Sequence, residues 1–155
     1  GFDEPGFGGV DGPDRPSGED LSISCVPNAL MLFNPVVDTS MMNWGTGTRT
    51  SSAPSVAPLD ASPEALSPTH HVVPGLPPML IFHGTADQTV PFESVVRFSL
   101  KMQAAGNTCE LVSFEGHDHA FFNYGRHDNI PYEKTIQAAD AFLVQLGFLE
   151  AQEEV

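Results

Sequence analysis

Positive charge is scarce in these 155 residues. Lys101, Lys134, Arg15, Arg49, Arg97 and Arg126 stand against twenty Asp and Glu side chains, for a formal net charge of −14 at pH 7. Such a chain repels phosphate backbones and anionic bilayer surfaces, which excludes nucleic acid as a partner. Cysteine is scarce as well: Cys25 and Cys109 show no CxxC spacing, read as small buried hydrophobes, and assign no redox compartment. No apolar run approaches the roughly 20 residues of a membrane-spanning helix, so no membrane span is expected. No charged-then-apolar leader opens the chain, which begins at Gly1; the chain is therefore processed or partial, and its location, secreted and periplasmic included, stays open. Apolar residues make up 41% of the chain, enough at this length for one domain with a real core.

The pattern along the chain is one of strands alternating with helices. Residues 1–20 read as an acidic Gly/Pro-rich loop with little to bury, and 151–155 as an acidic tail. Between them, 21–150 reads as one folded unit. Ala29 to Val37 is an apolar run, uninterrupted until Asn34-Pro35, as expected of a strand covered on both faces. Residues 39–75 are rich in Ser, Thr, Pro and Gly and read as a long cap-like excursion, with one short helix near 63–66. Met79 to His83 is a second buried strand. Phe92 to Ala105 places Val95, Phe98, Met102 and Ala105 on one helical face, and Gly106-Asn107 stops it. Cys109 to Phe114 is a third strand. Tyr132 to Leu146 is a closing helix whose inner face is expected from Ile136, Ala139, Leu143 and Leu146. This alternation predicts an α/β fold with a parallel sheet. Three strands are few for such a sheet, which looks cut rather than small.

In open parallel sheets, functional residues sit just past the carboxyl ends of the strands. Two candidates do so here: Asp87 after MLIFHGTA, and His119 after CELVSFEGHD. On neighbouring strands, about 4.8 Å apart, the carboxylate would reach the imidazole. It would hold one ring nitrogen and leave the other as a general base. Simpler readings stand beside this one. Asp87 could cap the next helix or form an Asx-turn, and His119 could be structural or solvated. His117, Asp118 and His119, with His83, Asp87 and His127, could form a metal cluster, although their spacing fits no regular ligand set. His70-His71 sits in a Pro-rich stretch and is either solvated or turned to a substrate. Phe114, Phe121, Phe122 and Tyr124 are divided between core and pocket wall.

HGTADQTVP, a helix, and then FEGHDHAFFN resemble the C-terminal half of the α/β-hydrolase fold, in its small esterase branch. That branch is similar to acetyl-xylan and feruloyl esterase-like proteins, with dienelactone hydrolases and prolyl oligopeptidases as more distant relatives. The resemblance extends over about residues 20–150, with NALMLFNPVVD as a preceding strand and AFLVQLGFL as the final helix. It maps the family's H-G-x-x-D-x-x-V-P onto His83, Gly84, Asp87, Val90 and Pro91, and its base turn onto Gly116, His119 and Phe121. It implies a three-layer fold and a serine carboxylic-ester hydrolase with Asp87 as acid and His119 as base. Phe121 and Phe122 would bind a small-molecule ester, and neither metal nor organic cofactor would be needed. His117 is the second candidate for the base, because Asp118 stands where the family has a small residue.

The same resemblance calls for a serine on G-x-S-x-G, and none exists in these residues; Ser17 and Ser113 lie near glycine with the wrong flanks. The family's chain order is Ser, then Asp, then His, so the serine and its oxyanion hole are expected upstream of Gly1. The chain is then a C-terminal fragment, inactive alone. The alternatives are a non-catalytic α/β module that binds a ligand or partner, and a serine peptidase of the prolyl oligopeptidase type. Oligomeric state is undetermined.

Overall fold

The computed structural model describes residues 24–42 and 62–151. The loop expected over 1–20, the middle of the 39–75 excursion (43–61) and the last four residues of the tail lie outside the described residues. The described elements are β1 (Leu30–Phe33), β2 (Met79–Gly84), α1 (Phe92–Ala104), β3 (Cys109–Phe114) and α2 (Ile130–Gln145).

All pairings are parallel, in the order β1-β2-β3. Leu30 and Cys109 both face Met79 across the ladder, and Gly84 faces Phe114. β2 is the middle strand, and all six of its residues are buried, the apolar Met79–Phe82 run first. Successive β2 side chains point to opposite faces. Met79 and Ile81 meet Val95, Phe98 and Met102 of α1 on one side. Leu80 and Phe82 join Phe114, Phe121 and Phe142 on the other, where α2 packs. Helices on both faces of a parallel sheet give the three-layer α/β architecture expected.

β1 differs from its expectation. It ends at Phe33 rather than Val37, because Asn34 turns left-handed (φ 44°) and Pro35 has no N–H for a ladder. It is not covered on both faces either: Met31 and Phe33 keep 39% and 38% of their surface. Among the described residues β1 lies at one end of the sheet.

β3 occupies the expected residues. α1 stops one residue short, with Ala105 capping it and Gly106 in the left-handed region (φ 81°). α2 begins two residues early, because Pro131 suits a first helical turn, where its missing N–H is no loss. Its buried face also differs. Thr135 and Phe142 are buried, with Ala138, Ala139 and Leu146 against the same cluster, whereas Ile136 is 45% exposed. Thr135 can be buried because its hydroxyl donates to the Tyr132 carbonyl at 2.7 Å.

The later part of the excursion docks onto this frame through two 3-10 turns, Glu64–Leu66 as expected and Pro68–His71 unforeseen. Both the Thr69 N–H and its hydroxyl donate to the Val37 carbonyl, and Lys101 donates to the Thr69 carbonyl. Asn107 accepts from the Gly75 and Leu76 N–H groups and donates to the Val73 carbonyl, anchoring the approach to β2. Cys109 is buried as expected, but Cys25, just before β1, is exposed among the described residues. Among the described residues, no helix is long and apolar enough to cross a membrane.

Candidate active site

Parallel pairing puts the carboxyl ends of all three strands at one edge of the sheet, and the polar residues just beyond them converge there. Asp87 follows β2 with its side chain wholly buried; His119 follows β3 with its side chain 40% exposed. Their separation is 2.8 Å, from His119 Nδ1 to Asp87 Oδ2. A carboxylate only accepts, so Nδ1 carries the proton and Nε2 is left with its lone pair. Nε2 has no hydrogen-bond partner among the described residues.

The simpler reading of Asp87 proves compatible with the functional one. Its Oδ1 accepts from the N–H groups of Thr89 (2.8 Å) and Val90 (2.9 Å), forming an Asx-turn, while Oδ2 serves His119. The turn thus aims the carboxylate. It is not the cap of α1, whose N-cap is Pro91 with no side-chain bond. Burial pushes the Asp87 carboxyl up. The bonds from Val90 N–H, His119 and Thr89 N–H, with the charge of His119, outweigh it and hold the group below the usual aspartate value.

The turns that carry Asp87 and His119 are held together by backbone hydrogen bonds. Ala86 N–H donates to the His117 carbonyl, Thr85 N–H to the Phe114 carbonyl, and Gly116 N–H to Thr85 Oγ1. This closeness needs Gly84: a Cβ there would lie 2.3 Å from the His117 carbonyl oxygen. From the far side, Arg126 donates to the carbonyls of His119 (2.9 Å) and Ala120 (3.1 Å) and to Asp118 (3.0 Å). Asp118 is therefore engaged with Arg126, and lies 3.9 Å from His127.

Of the two candidate bases, only His119 is brought to Asp87. The His117 ring packs against Phe114, Phe121 and His127. Burial, followed by the nearby His127, holds its imidazole below the usual value. His83 is fully buried, and Nδ1 donates to the Gly84 carbonyl at 3.0 Å. Its Nε2 has no partner and sits 3.8 Å from Asp87 Oδ2. Burial depresses its pKa against the opposing pull of that carbonyl and of Asp87, so the ring is neutral and this contact is no ion pair. The metal cluster is not assembled: among the described residues, no three His, Cys, Asp or Glu side chains group as ligands.

Phe121 and Phe122, both expected at a substrate, part company. Phe121 has no exposed surface and fills the core between Phe114 and Phe122, so it is a packing residue and not a pocket wall. It belongs to the same buried cluster as Phe142 of α2. Phe122 is half-buried against Phe33 and lines a shallow groove with Tyr124, Tyr132 and Ile136. His71 Nε2 donates to the Ala65 carbonyl at 2.8 Å, within the excursion.

One residue at the site was not singled out by the sequence. Asn34, just past β1, is buried and donates from Nδ2 to Asp87 Oδ2 at 2.9 Å; its Oδ1 accepts from the Ala120 N–H at 3.2 Å. The signal existed, since the strand-end rule that marks Asp87 and His119 applies equally to the polar residue closing ALMLF.

Comparison with known proteins agrees with this fold. Residues 28–146 match the prolyl oligopeptidase family. Esterase 2 of Thermogutta terrifontis, phosphorylated by paraoxon, is 49% identical with a TM-score of 0.72, over 88% of this chain and 47% of that one. The propionate-bound structure of the same esterase is 46% identical, also at 0.72, over 90% and 50%. A probable isoprenylcysteine alpha-carbonyl methylesterase of Arabidopsis thaliana is 33% identical over 49 residues, 32% of this chain and 10% of that protein. The chain thus spans about half the length of the solved esterases it matches. With a three-layer α/β architecture and a family match over most of its length, the chain belongs to the prolyl oligopeptidase family, within the α/β-hydrolase fold.

Proposed function

We propose that this chain carries the acid and base of a serine carboxylic-ester hydrolase, Asp87 and His119, and that the nucleophilic serine comes from residues beyond these 155. The observation that carries the reading is the 2.8 Å bond from His119 Nδ1 to a buried carboxylate, with Nε2 unengaged. Nε2 takes the proton of the serine hydroxyl as the serine oxygen bonds to the ester carbonyl carbon. Asp87 stabilises the imidazolium so formed. The proton then passes to the departing alcohol oxygen as the ester C–O bond breaks, leaving an acyl-serine. Water, deprotonated by the same Nε2, releases the acid and regenerates the serine. The absence of G-x-S-x-G from the sequence, and the half-length match to solved esterases, support the view that the chain is the C-terminal part of such an enzyme. An ester substrate with a small acyl group is supported by the propionate-bound relative.

A peptidase reading is favoured by the family match itself. The two separate by experiment. The N-terminal half of the Thermogutta esterase, joined to this chain at β1, should hydrolyse p-nitrophenyl acetate, and His119→Ala or Asp87→Asn should lower kcat by roughly 10⁴-fold. A folded fusion with no turnover, or a His119→Ala variant that keeps its acylation burst, would sink the assignment. Faster cleavage of a prolyl p-nitroanilide than of the ester would move the reading to peptidase.

A further inference from the structure

Asn34 belongs to neither the acid turn nor the base turn, yet it touches both. It closes β1 in the left-handed region, is buried, and spans 53 residues to Asp87 and 86 to Ala120. Side-chain amides can be drawn either way round, but here the partners settle it. A carboxylate can only accept from Nδ2, and a backbone N–H can only donate to Oδ1. Ala120 is itself left-handed (φ 61°), so its N–H points away from any ladder, and Asn34 Oδ1 is its partner.

We propose that Asn34 is a positioning residue, holding the Asp87 carboxylate and the His119 turn in register from a third strand end. The proposal rests on the role given above to Asp87 and His119. Oδ1 of Asp87 is pinned by two backbone N–H groups, which leaves the carboxylate free to pivot about that oxygen. Oδ2 is shared between Asn34 Nδ2–H and His119 Nδ1–H. His119 changes charge during a turnover, whereas the amide of Asn34 does not titrate. Asn34 therefore keeps Oδ2 in place while the proton on the imidazole comes and goes. Its Oδ1 meanwhile fixes the backbone one residue after the base. Sharing also limits how much of the Oδ2 charge falls on the imidazole.

Two variants and two kinds of readout test this. Asn34→Gly accepts the left-handed backbone and deletes the amide; Asn34→Asp keeps the shape but turns a donor toward Asp87 into a second carboxylate. In the 155-residue chain, Asn34→Gly should speed hydrogen exchange at the Ala120 amide by about tenfold or more, the loss of one hydrogen bond. The central amides of Ile81 and Leu111 should keep their protection. In the esterase fusion, kcat should fall by roughly 10²-fold with KM nearly unchanged, as expected of a misaligned catalytic group. The acid limb of the pH–kcat/KM profile should move to higher pH in Asn34→Gly; Asn34→Asp, which keeps an oxygen for the Ala120 N–H but sets a second carboxylate against Asp87, should retain more Ala120 protection than Asn34→Gly while losing more kcat. Unchanged exchange at Ala120 in Asn34→Gly would overturn the proposal, as would a loss of kcat with the acid limb unmoved. The exchange readout needs no nucleophile. An inactive parent fusion would thus count against the ester-hydrolase reading, while Ala120 protection still decides the role of Asn34.

Discussion

Replacing Gly84 by Ala should pry the acid turn from the base turn while leaving every functional side chain in the sequence. The added methyl would sit 2.3 Å from the His117 carbonyl oxygen, 2.8 Å from its carbon and 2.9 Å from the Asp118 carbonyl oxygen, all backbone atoms that cannot swing aside. Reaching even 3.0 Å requires the two turns to part by about 0.7 Å. If that displacement falls on the Asp87–His119 bond, its 2.8 Å becomes about 3.5 Å, past the usual hydrogen-bond range. Overpacking costs about 1–3 kcal/mol. Weakening a charge-assisted bond costs about 1 kcal/mol more. For a domain of this size, the total of about 2–4 kcal/mol lowers the melting temperature by roughly 4–16 °C. Circular dichroism melts of the parent and Gly84→Ala chains measure this. Gly116→Ala is the control, because its Cβ meets nothing within 4 Å and only the left-handed backbone (φ 72°) is strained, at about 1–2 kcal/mol. In the esterase fusion, Gly84→Ala should lose far more kcat than Gly116→Ala. If Gly84→Ala melts within about 2 °C of the parent and keeps its activity, the close approach of the turns does not hold the site together.

Other measurements follow from the same structure. Phe121→Ala should destabilise the chain by about 3–5 kcal/mol and Phe122→Ala by clearly less, in urea unfolding; equal losses would contradict the core placement of Phe121 alone. The native chain should react with one equivalent of a thiol reagent, at exposed Cys25. Cys109 is buried, with its thiol pushed up to about 11 by burial and by Glu110, and should react only on unfolding. Two native equivalents would refute that. Folding lowers the pKa of both His83 and Asp87, so the unfolded chain binds more protons as pH falls. Stability should therefore be full above about pH 6.5, decline first as His83 and His117 protonate in the unfolded state, and decline again below about pH 3.9 through Asp87. His83→Gln should flatten the first decline in a series of melts, and an unchanged slope would exclude His83 as one source.

How much of this was legible beforehand depended on whether a signal was local. β2, β3 and α1 were readable because an unbroken apolar run and a 3.6-residue repeat report burial directly. Asp87 and His119 stood out because strand, turn and helix follow one another in the chain, so the strand-end rule could be applied to each. β1 was overextended because apolar content does not reveal that Asn34 turns left-handed, nor that the strand lies at the end of the sheet. Ile136 was placed inward by its hydrophobicity. Thr135 took that position because a local hydroxyl bond makes its burial inexpensive, which no periodicity displays.

The sequence by itself determined the alternation of strands and helices, the strong negative charge, and the positions of Asp87 and His119 just past two strand ends. Each of these is written in neighbouring residues. The tertiary structure alone decided that Asp87 meets His119 and not His117, that one carboxylate serves both an Asx-turn and the base, and that Asn34 joins them across 53 and 86 residues. Those choices depend on strand order and on how closely Gly84 lets two turns approach. Distances between segments far apart in the chain come into being only when the sheet is assembled.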